Sequence, residues 1–258
     1  QLSVNEWGNI PQLEEIDNLY PLSPLQQGML YQTLYGQSDQ QQGDYVVQIS
    51  FVFKGQLEWP LWEKAWQETI QHYSILRSSF IWKGLRRPHQ LVHQNVYMPC
   101  WLNDWRKLTE EEQQHRWQEQ LRHDRQRGFD LTEAPLMRMF GAQMTEERTA
   151  ILWSYHHLLL DGWSMPLVLK KVSQIYEQLL ADQYTPQLEA HPYVEYIDWI
   201  NKQDHAEASR FWQEQLRGIQ SATLIQGTGE NGNGQRSKVS YTSLSKEQTQ
   251  QLQKFAQA

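Results

Sequence analysis

Cysteine is almost absent: Cys100 stands alone in 258 residues, so no disulfide can form within the chain and no thiolate cage can hold a metal. No apolar run approaches the length needed to cross a bilayer, mean hydropathy is −0.74, and no signal-peptide pattern is visible, so a soluble cytoplasmic protein with no membrane partner is expected. Positive charge is also short, at a net −7, which argues against a nucleic-acid partner. There is no G-x-S-x-G elbow, so a serine-hydrolase triad lacks its nucleophile. The Gly- and Asn-rich stretch 226–234 lacks the Lys-Ser/Thr ending of a phosphate loop and reads as a mobile loop.

What is present is His156-His157-Leu158-Leu159-Leu160-Asp161-Gly162. The residues before it, Ala150 to Tyr155, read as a buried strand, whose alternation puts His157 on the face of Trp153 and Tyr155 and sends His156 to the other. The two imidazoles therefore have different jobs, and adjacent divergent histidines are badly spaced for one metal ion. Ser164 and Pro166 then signal a helix start, with Met165, Val168, Leu169, Val172, Ile175, Tyr176, Leu179 and Leu180 at helical spacing. Unpaired N–H groups at such a start suit an oxygen that becomes negative during attack on a carbonyl. A buried, purely structural histidine beside an ordinary Asp-Gly turn is the other reading, and the pattern alone leaves both open.

Elsewhere, Tyr45 to Phe53 alternates as a strand with Val47, Ile49, Phe51 and Phe53 on one face, and a helix is predicted after Trp59-Pro60 with Trp62, Trp66, Ile70 and Tyr73 as its core stripe. Thr109 to Glu112 is a capping box opening a very polar helix that ends at Gly128, its charges read as a solvated face. Residues 237–244 read as a strand, and Ser245 to Gln248 as a second capping box before a helix with Leu252 and Phe255.

Taken together, these segments resemble the condensation domains of nonribosomal peptide synthetases. Tyr20-Pro21-Leu22-Ser23-Pro24-Leu25-Gln26-Gln27-Gly28-Met29-Leu30 is similar to the family's opening motif, Ser74-Ile75-Leu76-Arg77-Ser78-Ser79-Phe80 to its second, and His156 to Gly162 to its HHxxxDG signature. Phe129-Asp130-Leu131 with Ala134-Pro135-Leu136-Met137-Arg138 resembles the segment before that signature, and Tyr193 to Trp199 the motif after it. His72-Tyr73-Ser74 stands where the second motif usually begins Arg-His-Glu, and Glu195 where Asp is frequent.

The resemblance implies an α/β fold: a chloramphenicol-acetyltransferase-like two-layer sandwich lobe, followed by the incomplete start of a second similar lobe. On that basis residues 1–18 are expected to be an interdomain linker, 19–185 the first lobe, and 186–258 crossing helices and the start of the second. The implied activity is peptide-bond formation between a donor thioester and an acceptor amine. Both substrates would ride on phosphopantetheine arms of upstream and downstream carrier proteins, among neighbouring synthetase domains, with no cofactor or metal bound by the domain itself. His157 is expected to be catalytic, as proton acceptor or as orienter of the amine, with Gly162 letting backbone approach the reacting carbonyl. His156 is expected to be structural, and Asp161 to pair with an arginine, for which Arg77 and Arg138 are the candidates. The histidines exclude the heterocyclising subtype, His157 to Leu167 is similar to the subtype joining two L-residues, and Trp163-Ser164-Met165-Pro166 does not resemble the continuation usual in epimerisation domains. An epimerase acting on one carrier-bound residue and a non-catalytic docking domain for carriers or tailoring enzymes are the alternatives. The 258-residue chain by itself is expected to be inactive.

Overall fold

The computed structural model describes residues 3–8, 10, 13–35, 45–186, 190–219 and 242–257. The expected 226–234 loop and most of the expected 237–244 strand lie outside them, and 242–244 are not in a strand. Two compact units divide at residues 203 and 204.

The first unit runs α1 (Val4–Trp7), β1 (Ile16–Pro21), α2 (Pro24–Tyr35), β2 (Val46–Lys54), α3 (Trp59–His72), β3 (Ser78–Ile81), β4 (His89–His93), β5 (Cys100–Asp104), α4 (Glu110–Arg127), β6 (Met137–Thr145), β7 (Arg148–His156), α5 (Met165–Leu180) and α6 (Tyr193–Asn201). One sheet has the order β1-β4-β3 and is antiparallel; the other has the order β2-β7-β6-β5, antiparallel except for the parallel pair β5 and β6. The architecture is the expected α/β one.

Alternation along the larger sheet decides what packs where. Ile151, Trp153 and Tyr155 of β7 and Met137 and Met139 of β6 join one core with Trp62, Trp66 and Ile70 of α3 and Val168, Val172, Ile175 and Tyr176 of α5. Val47, Ile49, Phe51 and Phe53 pack against it, as their period of two predicts. On this face a Cβ at Gly141 would sit 2.6 Å from the Trp59 ring and 2.9 Å from Leu102, so the close approach of α3 to β6 requires glycine there.

The opposite face carries α4. Thr109 forms the predicted capping box with Glu112, but the helix is not simply solvated: Asp124 is 5% exposed. Its carboxylate takes Arg138 Nε at 2.5 Å, Ser154 Oγ at 2.6 Å and Gln48 Nε2 at 2.7 Å. One acidic residue thereby ties α4 to β6, β7 and β2. The local pattern hid this because its partners come from three distant strands.

Residues 1–18, expected as a linker, dock instead where they are described. Ile10 is buried with Ile81 and Leu91, the Glu6 carboxylate accepts the Arg86 N–H at 2.8 Å, and β1 begins at Ile16 and pairs with β4. Apolar side chains without a strong period found a small sheet to cover. Further along, Ile197 of α6 packs with Tyr20 and Val92 against this smaller sheet.

The second unit contains α7 (His205–Gln215), capped by the Asp204 carboxylate, and α8 (Lys246–Gln257). Ser245 and Gln248 make the reciprocal bonds of the predicted capping box at the start of α8.

Candidate active site

β7 delivers the two histidines. Val46 pairs with His156 at the end of the β2–β7 ladder, and His157 N–H then donates to Tyr45 O at 2.8 Å, extending the pairing one residue beyond the strand. His157 thus keeps the parity of Trp153 and Tyr155, but where those are fully buried it is only half-buried.

His156 has the other environment. It is 2% exposed and lies against the Tyr45 ring at 6.2 Å. Its Nδ1 accepts the Leu158 N–H at 3.2 Å, which places the proton of the neutral ring on Nε2. Burial, helped by the neighbouring His157, pushes its pKa down to about 4, so it stays neutral at physiological pH.

Asp161 departs from expectation. It is exposed, and its Oδ1 accepts the N–H groups of Trp163 at 3.1 Å and Ser164 at 2.7 Å and the Ser164 hydroxyl at 2.7 Å. These bonds, the Ser164 hydroxyl first, hold its carboxyl below the usual carboxylate range. No arginine pairs with it among the described residues. Arg138 is committed to Asp124, to the carbonyls of Asp124 and Gly128 and to the Phe129 ring; Arg77 binds the His93 carbonyl at 2.8 Å and Asp17 at 3.5 Å. Both candidate arginines are therefore engaged by other partners, away from Asp161.

The same geometry corrects the oxyanion reading of the helix start. Trp163 and Ser164 N–H groups are taken by Asp161 Oδ1, and Met165 N–H by the Asp161 carbonyl, so these donors are already satisfied. Gly162 is open: a Cβ there would meet no atom within 4 Å. The fold itself does not demand glycine at this position.

Two phenols that sequence reasoning left out also attend the turn. Tyr155 and Tyr193 have pKa values raised first by burial, with the Asp161 charge adding to both, and Tyr193 hydrogen-bonds Ser23. The turn is further held by Gln26, whose Nε2 donates to the Leu158 carbonyl at 3.1 Å. No periodic signal marks such contacts. A separate cavity of about 700 Å³, lined by Ser50, Val52, His115, Met144, Arg148 and Ala150 among others, lies on the α4 side of the sheet and includes none of the signature residues. Among the described residues no group of three or more His, Cys, Asp or Glu could hold a metal ion, and no helix is long and apolar enough to cross a membrane.

Comparison with known proteins places this geometry in a family. The chain is 40% identical over 248 residues to one of the proteins of the linear gramicidin synthase of Brevibacillus parabrevis, and 34% identical over 250 residues to one of the plipastatin synthase of Bacillus subtilis. These alignments cover 93% and 96% of this chain but only 3% and 10% of those proteins. Among solved structures, the starter condensation domain of rhizomide synthetase matches with a TM-score of 0.64 at 20% identity, covering 81% of this chain and 52% of that one. The X-domain from teicoplanin biosynthesis, solved in complex with a protein partner, matches with a TM-score of 0.64 at 21% identity over 84% of this chain and 46% of that one. The sequence model of the condensation domain matches residues 16–258, and the chain belongs to the condensation-domain family of nonribosomal peptide synthetases.

Proposed function

We propose that this chain serves, within its synthetase module, to form a peptide bond between two L-configured residues, each carried as a thioester on the phosphopantetheine arm of a carrier protein, the domain itself holding no cofactor. The acceptor amine attacks the donor carbonyl carbon, the carbon–sulfur bond breaks, and the donor carrier's thiolate leaves. The proton lost by the attacking nitrogen passes by way of His157 to that thiolate, or His157 orients the amine while the proton goes to water. A free α-amino group has a pKa of about 7.7–8.0, so a useful fraction is nucleophilic at neutral pH without a strong base. Holding two tethered reactants together supplies much of the rate, since effective molarities for well-oriented groups reach ~10⁵ M or more.

The observation that carries this reading is the partition of the histidine pair: His156 sealed and neutral on one face, His157 on the other and half-open. The names of the relatives, synthases of linear gramicidin and plipastatin, support a peptide product. Trp163, 89% exposed, and Leu167, 61% exposed, stand beside the turn. With that side uncovered, residues 1–258 by themselves are inferred to be inactive.

The test is to supply the module that carries this chain with a loaded donor and a loaded acceptor carrier and to weigh the products. A dipeptidyl thioester on the acceptor, lost in His157→Ala, is expected. Deuterium uptake at the α-carbon of one carrier-bound residue with no dipeptide would establish an epimerase. Carrier binding with neither product would establish a docking domain.

A further inference from the structure

Gln26 lies on α2, 132 residues before Leu158 of the signature turn, yet its side chain reaches that turn's backbone. The residue is 5% exposed and its carboxamide is engaged at both ends. Oε1 accepts the Ser23 N–H at 3.0 Å; Nε2 donates to Gln90 Oε1 at 2.9 Å and to the Leu158 carbonyl at 3.1 Å. The orientation of this amide is not arbitrary, because Ser23 N–H can meet only an oxygen and Leu158 C=O only a donor. Gln90 is 0% exposed, and its Nε2 in turn donates to Tyr20 Oη and Ser78 Oγ, both at 2.9 Å. A chain of buried amides therefore runs from the smaller sheet into the peptide that follows His157.

We infer that Gln26 is a positioning residue for the condensation step: by holding the Leu158 carbonyl it fixes the turn that aims the His157 ring. The inference rests on the proposed role of His157. Four bonds define that turn: His157 N–H to Tyr45 O, Leu158 N–H to His156 Nδ1, Leu159 N–H to His156 O, and the Gln26 tether. The first three belong to β2 and to β7 itself, so they let the turn move with the edge of the larger sheet. The bond from Gln26 references it to the smaller sheet. A near-attack geometry is sensitive to such a reference, since a displacement of about 1 Å at a reacting group can cost on the order of 10²-fold.

Gln26→Glu isolates the tether. The carboxylate keeps the Ser23 contact, and Gln90 can turn its amide toward it, because the hydroxyls of Tyr20 and Ser78 can donate as well as accept. The Leu158 carbonyl then faces an oxygen and loses its donor. Gln26→Met is the uncharged companion, similar in size and without any donor. In the intact synthetase module that carries this chain, both variants are expected to lower kcat for dipeptidyl formation by about 10–100-fold. KM for the acceptor carrier should stay within about twofold, and Tm within a few degrees, in at least one of them. Amide hydrogen exchange in the peptide spanning 157–160 should quicken by roughly tenfold while α3 is unchanged.

Wild-type kcat in both variants, unaltered exchange in the turn, or collapse of the fold in both would overturn the inference, the last by making Gln26 a residue of the core alone. His157→Ala, run alongside, separates the two claims. If it is inactive while both Gln26 variants are fully active, only the positioning role fails; if it retains wild-type activity, the proposed reaction fails and the positioning role with it.

Discussion

Replacing Arg138 by methionine removes the positive member of a pair buried on both sides, with side chains 7% and 6% exposed and a 2.5 Å contact. Asp124 keeps Ser154 and Gln48 as donors, but those dipoles do not neutralise its charge, and the carbonyls of Asp124 and Gly128 lose their donors as well. Breaking a buried pair on one side costs about 3–5 kcal/mol. For a unit of this size each kcal/mol moves Tm by about 2–4 °C, so a fall of roughly 6–20 °C is expected. The double variant Arg138→Met with Asp124→Leu should recover much of it, because replacing both charges by apolar groups leaves no charge stranded and is often neutral. Thermal unfolding followed by far-ultraviolet circular dichroism at pH near 7, with urea titration as a second measure, on wild type, both single variants and the double gives the coupling between the residues. A single variant that melts within about 2 °C of wild type, or a double variant worse than the single, would refute the argument that charge isolation dominates at this site.

Acidification should expose His156. Its folded pKa of about 4 lies below the ordinary 6.5, so as pH falls from about 6.5 to 4 the unfolded chain takes up a proton that the folded chain refuses; stability declines across that window by up to roughly 3 kcal/mol and levels off below it. Equal pH slopes of Tm in wild type and His156→Gln would remove this assignment. Asp161→Ala should cost only about 0.5–2 kcal/mol, as for the loss of a cap, because its bonds are exposed ones to Ser164 and Trp163. That contribution holds above the usual carboxylate range and is lost as pH drops below it, and a melting loss like that predicted for Arg138→Met would reinstate a buried ion pair. Gly162→Ala should leave Tm within about 2 °C, since the added methyl meets no protein atom. Dipeptide yield should drop at least several-fold, and unchanged yield would show that no reactant passes close to that backbone.

Sequence pattern located what repeats locally. The alternation through Trp153 and Tyr155 assigned both histidines to their faces, Thr109 and Glu112 announced α4, and Trp62, Trp66 and Ile70 announced the stripe of α3. Contacts made by single polar residues with distant partners were not legible. Asp124 looks like one more charge on a polar helix until Arg138, Ser154 and Gln48 arrive from three strands, and Gln26 looks like part of a motif string until Leu158 is seen above it. Asp161 failed for a related reason: the residues able to bind it within three positions, Trp163 and Ser164, were in plain view but were read as a helix start rather than as its partners.

The parallel pairing of β5 with β6 has a bearing on how the chain assembles. A parallel neighbour cannot be reached by a hairpin, so the chain must leave β5, run through α4 and return before a single rung of that ladder can close. The entropy of closing this excursion is spent before its contacts reward it. β5 is an edge strand with four of its five residues exposed, so it has little burial of its own to hasten that step. Of the ladders, β6–β7 closes over the shortest stretch, from Thr145 to Arg148. β5 reaches β6 only across α4, from Cys100 to Met139, and β2 reaches β7 across a longer stretch still, from Lys54 to Arg148, so the hairpin that carries the histidines is favoured to form first and its two neighbours to add to it.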